Sequence, residues 1–120
     1  VLNCRQTVTF SISCEPIDVQ INNILYLESD KHIIVMHLIN DDRVNYRFYG
    51  NMTDLSNKLQ NLGFLRIHKS YLVNMEYIEL FQYEKIYLRG GICLPSSEKK
   101  HKELKQLYLK WRGENRWKLS

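Results

Sequence analysis

The sequence predicts a mainly β domain with one short helix in the middle and a second helix near the C-terminus. Three observations carry this. Short stretches of alternating apolar and polar residues recur along the chain, Thr7-Val8-Thr9-Phe10-Ser11-Ile12 among them. Turn residues separate them at close intervals. Only two stretches, one after Asn51 and one after Ser97, repeat apolar residues at three and four.

The first strand is expected over Thr7–Cys14, ended by Pro16, and a second over Ile17–Ile21. Asn22-Asn23 punctuates. Ile24–Glu28 is the third strand, Ser29-Asp30-Lys31-His32 a polar turn, and Ile33–Leu38 the fourth. Asn40-Asp41-Asp42 turns the chain into a fifth strand, Val44–Tyr49. Asn51 then caps a helix of about three turns, with Met52, Leu55, Leu59 and Leu62 on one face and Asp54 in the first turn. Gly63 supplies its left-handed stop.

Phe64 to Asn74 is the most informative stretch. Apolar flanks, Phe64 to Ile67 and Tyr71 to Val73, enclose His68-Lys69-Ser70. Burying both flanks forces this donor-rich triplet to the surface. Two readings fit: a polar turn between core segments, or a loop built to meet an anionic surface. Further strands are expected at Tyr77–Gln82, Lys85–Arg89 and Ile92–Leu94, with a two-residue Gly90-Gly91 hairpin loop and a stop at Pro95. The count is roughly eight short strands.

Ser96-Ser97 is expected to cap the last helix, whose apolar face is Leu104, Leu107, Tyr108 and Trp111. Lys99 and Lys100 would lie in its first turn, where the helix dipole is already positive. Two serines, free amides and lysines form a phosphate site or, as simply, a solvated lysine-rich face. Residues 1–113 are expected as one domain and 114–120 as a tail.

Composition narrows function. With 44% hydrophobic and 25% charged residues, the 120-residue chain is ordinary for a soluble single domain. No apolar run approaches membrane-spanning length. Three scattered cysteines argue for a reducing, cytoplasmic setting, with Cys14 and Cys93 as small buried residues in strands. The histidines and cysteines lack metal-ligand spacing, and no cofactor or catalytic motif is present, so no enzyme is expected. The net charge of +4 is modest, but the bases bunch at Arg66-to-Lys69 and Lys99-to-Lys102, away from most acids, which allows one positive face.

Ile24-Leu25-Tyr26-Leu27-Glu28, Phe48-Tyr49-Gly50, Phe64-Leu65-Arg66-Ile67-His68-Lys69-Ser70-Tyr71-Leu72-Val73-Asn74 and Leu94-Pro95-Ser96-Ser97, in that order, resemble the LytTR DNA-binding domain family. The resemblance covers roughly Thr7 to Trp111. It implies an elongated arrangement of antiparallel sheets. Inter-strand loops would read successive major grooves of double-stranded promoter DNA, with pairs of domains on direct repeats. It also implies the output domain of a bacterial two-component response regulator. The chain, which starts at Val1, would then be cut from a longer protein, with a receiver domain upstream and a sensor kinase as partner.

The resemblance places DNA contacts on Lys31 and His32 in a first loop and on His68, Lys69 and Ser70 in a second. Ser96, Ser97, Glu98, Lys99 and Lys100 form a third. His32 and Lys69 would read bases, and the lysines and serines would meet phosphates. Glu98 stands where family members usually carry an arginine. A carboxylate can accept only from a donor such as the cytosine amino group, so either it reads a different base or Lys99 and Lys100 take over. Two other classes fit the residues alone: a β-rich protein-interaction module and a single-stranded nucleic-acid binder stacking bases on tyrosines.

Overall fold

The structure, a computed structural model, describes residues 6–39 and 45–115. The expected turn at Asn40-Asp41-Asp42, Val44, Cys4 and the tail beyond Asn115 lie outside the described residues.

Ten strands are present among the described residues, two more than the rough sequence count. They are β1 (Thr7–Ile12), β2 (Glu15–Gln20), β3 (Ile24–Asp30), β4 (Ile33–Leu38), β5 (Tyr46–Tyr49), β6 (Phe64–His68), β7 (Tyr71–Asn74), β8 (Ile78–Phe81), β9 (Lys85–Leu88) and β10 (Ile92–Pro95). Two α-helices, α1 (Met52–Leu59) and α2 (His101–Asn115), and three short 3₁₀ turns are the other elements among the described residues. All strand pairs are antiparallel. They form a two-stranded sheet β1-β2, a three-stranded sheet β10-β9-β8 and a five-stranded sheet β5-β4-β3-β7-β6. The molecule is elongated, 47 × 33 × 26 Å.

The five-stranded sheet lies between two cores. Phe10, Val19, Ile34, Phe48, Leu59 and Leu72 belong to one core, where the β1-β2 hairpin and α1 cover the sheet. Leu65, Ile67, Val73, Ile86, Leu94 and Tyr108 belong to the other, where the three-stranded sheet and α2 cover it. This double covering explains why the central strands read as near-continuous apolar runs: Ile24 to Leu27 and Leu72 to Asn74 are buried at every position.

Asn51 caps α1 as expected, its Oδ1 accepting from the Thr53 and Asp54 amides at 2.8 and 3.2 Å. Gly63 takes φ 93° behind it, the left-handed stop. Several sequence expectations are corrected. β1 ends at Ile12 because the Ile12–Glu15 pair closes a two-residue turn, with Ser13 at φ 54° and Cys14 at φ 66°. Cys14 is therefore an exposed turn residue, and Cys93 is exposed on β10, an edge strand. Pro16 does not end the sheet but sits opposite Ser11, in a two-stranded sheet where every strand is an edge. The last hairpin loop has three residues, Arg89 to Gly91, since Leu88 pairs with Ile92.

The C-terminal helix also differs. It starts at His101, and the Leu104 amide bonds the Lys100 carbonyl at 2.8 Å. Ser96 and Ser97 thus belong to an extended lead-in, not a cap. At the other end α2 runs through Gly113 to Asn115, two residues into the segment expected as a tail. No helix among the described residues is long and apolar enough to cross a membrane.

Candidate nucleic-acid interface

The strand order brings the first two predicted loops to one end of the five-stranded sheet. β3 and β4 meet there at the turn Lys31-His32, and β6 and β7 at the turn Lys69-Ser70. β3 and β7 are neighbours, so the turns are neighbours too. The Ser29 amide donates to the Ser70 carbonyl at 2.9 Å and ties them. Strand β3 continues to Asp30, so the first loop is two residues where four were expected. Lys31 takes φ 60°, which the tight turn requires. Lys31, His32 and Lys69 are exposed. The His32 carbonyl accepts from the Gly50 amide at 3.0 Å, so the end of β5 joins the same row.

The second turn is braced from within. Arg66 donates through Nη1 to Thr53 Oγ1 at 3.0 Å and through Nη2 to the Lys69 carbonyl at 2.9 Å. His68 is half-buried, its ring against Tyr71 at 5.7 Å. Its Nδ1 accepts from the Ser70 amide at 3.1 Å, which places the proton of the neutral ring on Nε2. His68 therefore shapes the turn with one nitrogen and keeps a donor on the other. Asn74 is scaffold. It is 3% exposed, donates to the carbonyls of Ile21 and Ile24 at 3.2 and 2.9 Å, and accepts from the Glu76 amide at 3.1 Å.

The third loop flanks β6. The Ser97 amide bonds the Ile67 carbonyl at 2.7 Å and the Ser96 amide bonds the Glu84 carbonyl at 2.9 Å. Ser96 is 6% exposed with a buried Oγ, so its hydroxyl faces the interior and the expected phosphate contact is withdrawn. Lys99 and Lys100 are exposed just before α2. Glu98 is exposed beside Glu84; sharing a proton with the Glu84 carboxyl, and the charge of Glu84, push its own carboxyl above the ordinary value of 4.5. The loop thus places a carboxylate pair beside two lysines.

Behind the first turn, His37 Nε2 meets Glu28 Oε1 at 2.5 Å and the His37 ring stacks on Tyr26 at 4.2 Å. Burial, then the charges of Glu28 and Tyr71, push the Tyr26 phenol up to about 12, so it stays neutral. This cluster is packing for the β3–β4 hairpin.

From β5 to β6 there are four strand intervals, about 19 Å at about 4.8 Å each. The row of turns is therefore wider than one major groove, which is about 12 Å across. Sequence reasoning named Lys31, His32, His68, Lys69, Ser70, Ser96, Ser97, Glu98, Lys99 and Lys100. The first five lie at the two turns, Ser97 reaches β6 through the Ile67 carbonyl and is followed by Glu98, Lys99 and Lys100, and Ser96 is buried. Sequence reasoning missed Arg66 and Thr53 as braces. An arginine inside the β6 alternation was the available signal, but its partners lie on other elements.

The LytTr DNA-binding domain model matches residues 15–109. No curated protein matches the chain. Among solved structures, the LytTr DNA-binding domain of a putative methyl-accepting/DNA response regulator from Bacillus cereus is similar, at 18% identity and a TM-score of 0.67. The likeness covers 86% of this chain and 96% of that one, and at this identity it shows a shared fold. The family match over most of the length, on a chain with this loop row, places the protein: it belongs to the LytTr DNA-binding domain family.

Proposed function

We propose that this chain binds double-stranded DNA in a sequence-specific manner to control transcription. The single observation that carries it is the row of turns, in which Lys31, His32, Lys69 and Ser70 share one sheet end with Lys99 and Lys100 at its flank. Lysines along a row wider than one groove suit contacts with phosphates on both sides of it. His32 and Lys69, at the turn tips, are the proposed base readers. Lys31, Lys99, Lys100, Ser70 and Ser97 are the proposed phosphate contacts, and Glu98 with Glu84 limits the third loop to backbone approach by its lysines.

The same reading extends to the output domain of a bacterial response regulator, acting in the cytoplasm with a receiver domain and a sensor kinase. Two copies would occupy direct repeats. We propose no catalytic role. Selection of the chain against a random duplex library, followed by footprinting, tests the reading. One enriched motif, protected over more than one groove, is expected. Recovery of no motif, or preference for single strands, would overturn it. His32→Ala should then weaken the selected duplex more than random duplex; equal losses would remove His32 from the base readers.

A further inference from the structure

Tyr49 is the most solvent-exposed large hydrophobic side chain among the described residues, at 82% against 54% for Tyr83, the next. Its position is fixed by the first turn. It ends β5 opposite Ile33, the residue that follows Lys31-His32, and the next amide, Gly50, is bonded to the His32 carbonyl. Gly50 permits that closeness: a Cβ there would come within 3.0 Å of Ile34 Cγ1. Phe48 is buried in the core under the sheet, so strand alternation turns Tyr49 to the opposite face, shared with the exposed Arg47.

With the sheet end laid across a groove about 12 Å wide, the outermost strand of a row about 19 Å wide would fall beyond its edges, over the sugar-phosphate backbone. A phenol suits that surface, with a hydroxyl to donate to a phosphate and a flat ring to lie on a deoxyribose. We propose that Tyr49 is a further DNA-contact residue that grips the backbone beside the groove taken by the Lys31-His32 turn. This rests on the duplex-binding reading above. Tyr49 adds affinity and register, not base preference.

The test titrates the full chain and its Tyr49→Ala and Tyr49→Phe variants against the selected duplex and a random duplex at several salt concentrations. Thermal midpoints are measured in parallel. Tyr49→Ala should weaken both duplexes by the same factor, about tenfold, and Tyr49→Phe by about threefold. The salt slope should not change, because an uncharged side chain displaces no counterion. Tyr49→Phe keeps the ring, so it decides the hydroxyl contact even if Tyr49→Ala lowers the midpoint. A Tyr49→Phe variant that binds like the parent overturns phosphate donation. A Tyr49→Ala variant with parent midpoint and affinity overturns the whole inference and leaves the duplex reading standing. A loss seen only on duplexes with two sites assigns Tyr49 to contact between copies and overturns it as well. If the parent chain binds no duplex while keeping its fold, the duplex reading fails and the inference with it.

Discussion

The guanidinium of Arg66 donates to the carbonyl oxygen of Lys69 at 2.9 Å. The residue that carries the proposed base contact is thus held by a side chain three positions earlier, which also reaches Thr53 on α1 at 3.0 Å. A positive charge near the interface is here occupied in shaping it.

Arg66→Lys should separate bracing from charge. Lysine keeps the charge but cannot span Thr53 and the Lys69 carbonyl in one plane. Affinity for the selected duplex should fall about three- to tenfold at an unchanged salt slope, with a cost of about 1 kcal/mol in stability. Anisotropy titrations and denaturant melts measure both. A reduced slope would mean that Arg66 itself meets a phosphate.

Changing Lys99 and Lys100 together to Ala should weaken selected and random duplexes alike and lower the salt slope by up to about 2. An unaltered slope would place the third loop away from the DNA.

Glu98 gives a pH dependence with a definite sign. Its carboxyl is raised above 4.5 in the folded chain by the hydrogen bond and charge of Glu84. The folded state therefore holds a proton that the unfolded state releases near the ordinary value. The stability this linkage confers is present below 4.5 and is lost as pH rises through the folded value. Duplex binding should tighten over the same fall in pH, since protonation removes negative charge beside phosphates. Glu98→Gln should bind more tightly near neutrality and flatten that dependence, read as affinity against pH. A Glu98→Gln chain with the parent's profile would show that the pair does not face DNA.

Asn74→Ala should destabilise without touching the interface. It leaves the Ile21 and Ile24 carbonyls without their side-chain partner in a buried setting, and the Glu76 amide in a part-buried one, a cost of about 2–4 kcal/mol. The denaturant midpoint should fall, while affinity extrapolated to fully folded protein should stay near the parent's. A selective loss of affinity at full stability would make Asn74 a contact residue.

Much of the site was legible in sequence because polar turns between apolar strands must come to the surface whatever the fold. Lys31-His32 and Lys69-Ser70 follow from that rule. The braces were not legible. Arg66 and Thr53 are 13 residues apart and meet only because α1 packs beside β6. Ser96 was misread for a related reason: a serine before a lysine-rich helix is a natural cap, but the β10 lead-in pairs its amide with Glu84 and buries its hydroxyl. Cys14 failed locally, since strand alternation runs on in sequence past the point where the hairpin must turn.

By itself the sequence determined the mainly β class, both helices, the Asn51 cap and the Gly63 stop. Each depends on neighbours within a few residues: alternation, capping oxygens and the freedom of glycine at positive φ. The tertiary structure alone decided that β3 lies beside β7, and so that two turns some forty residues apart form one row. It also decided that α2 begins at His101 and that Tyr49 stands outside the core. These are outcomes of strand order and packing against distant elements, and no local pattern carries them.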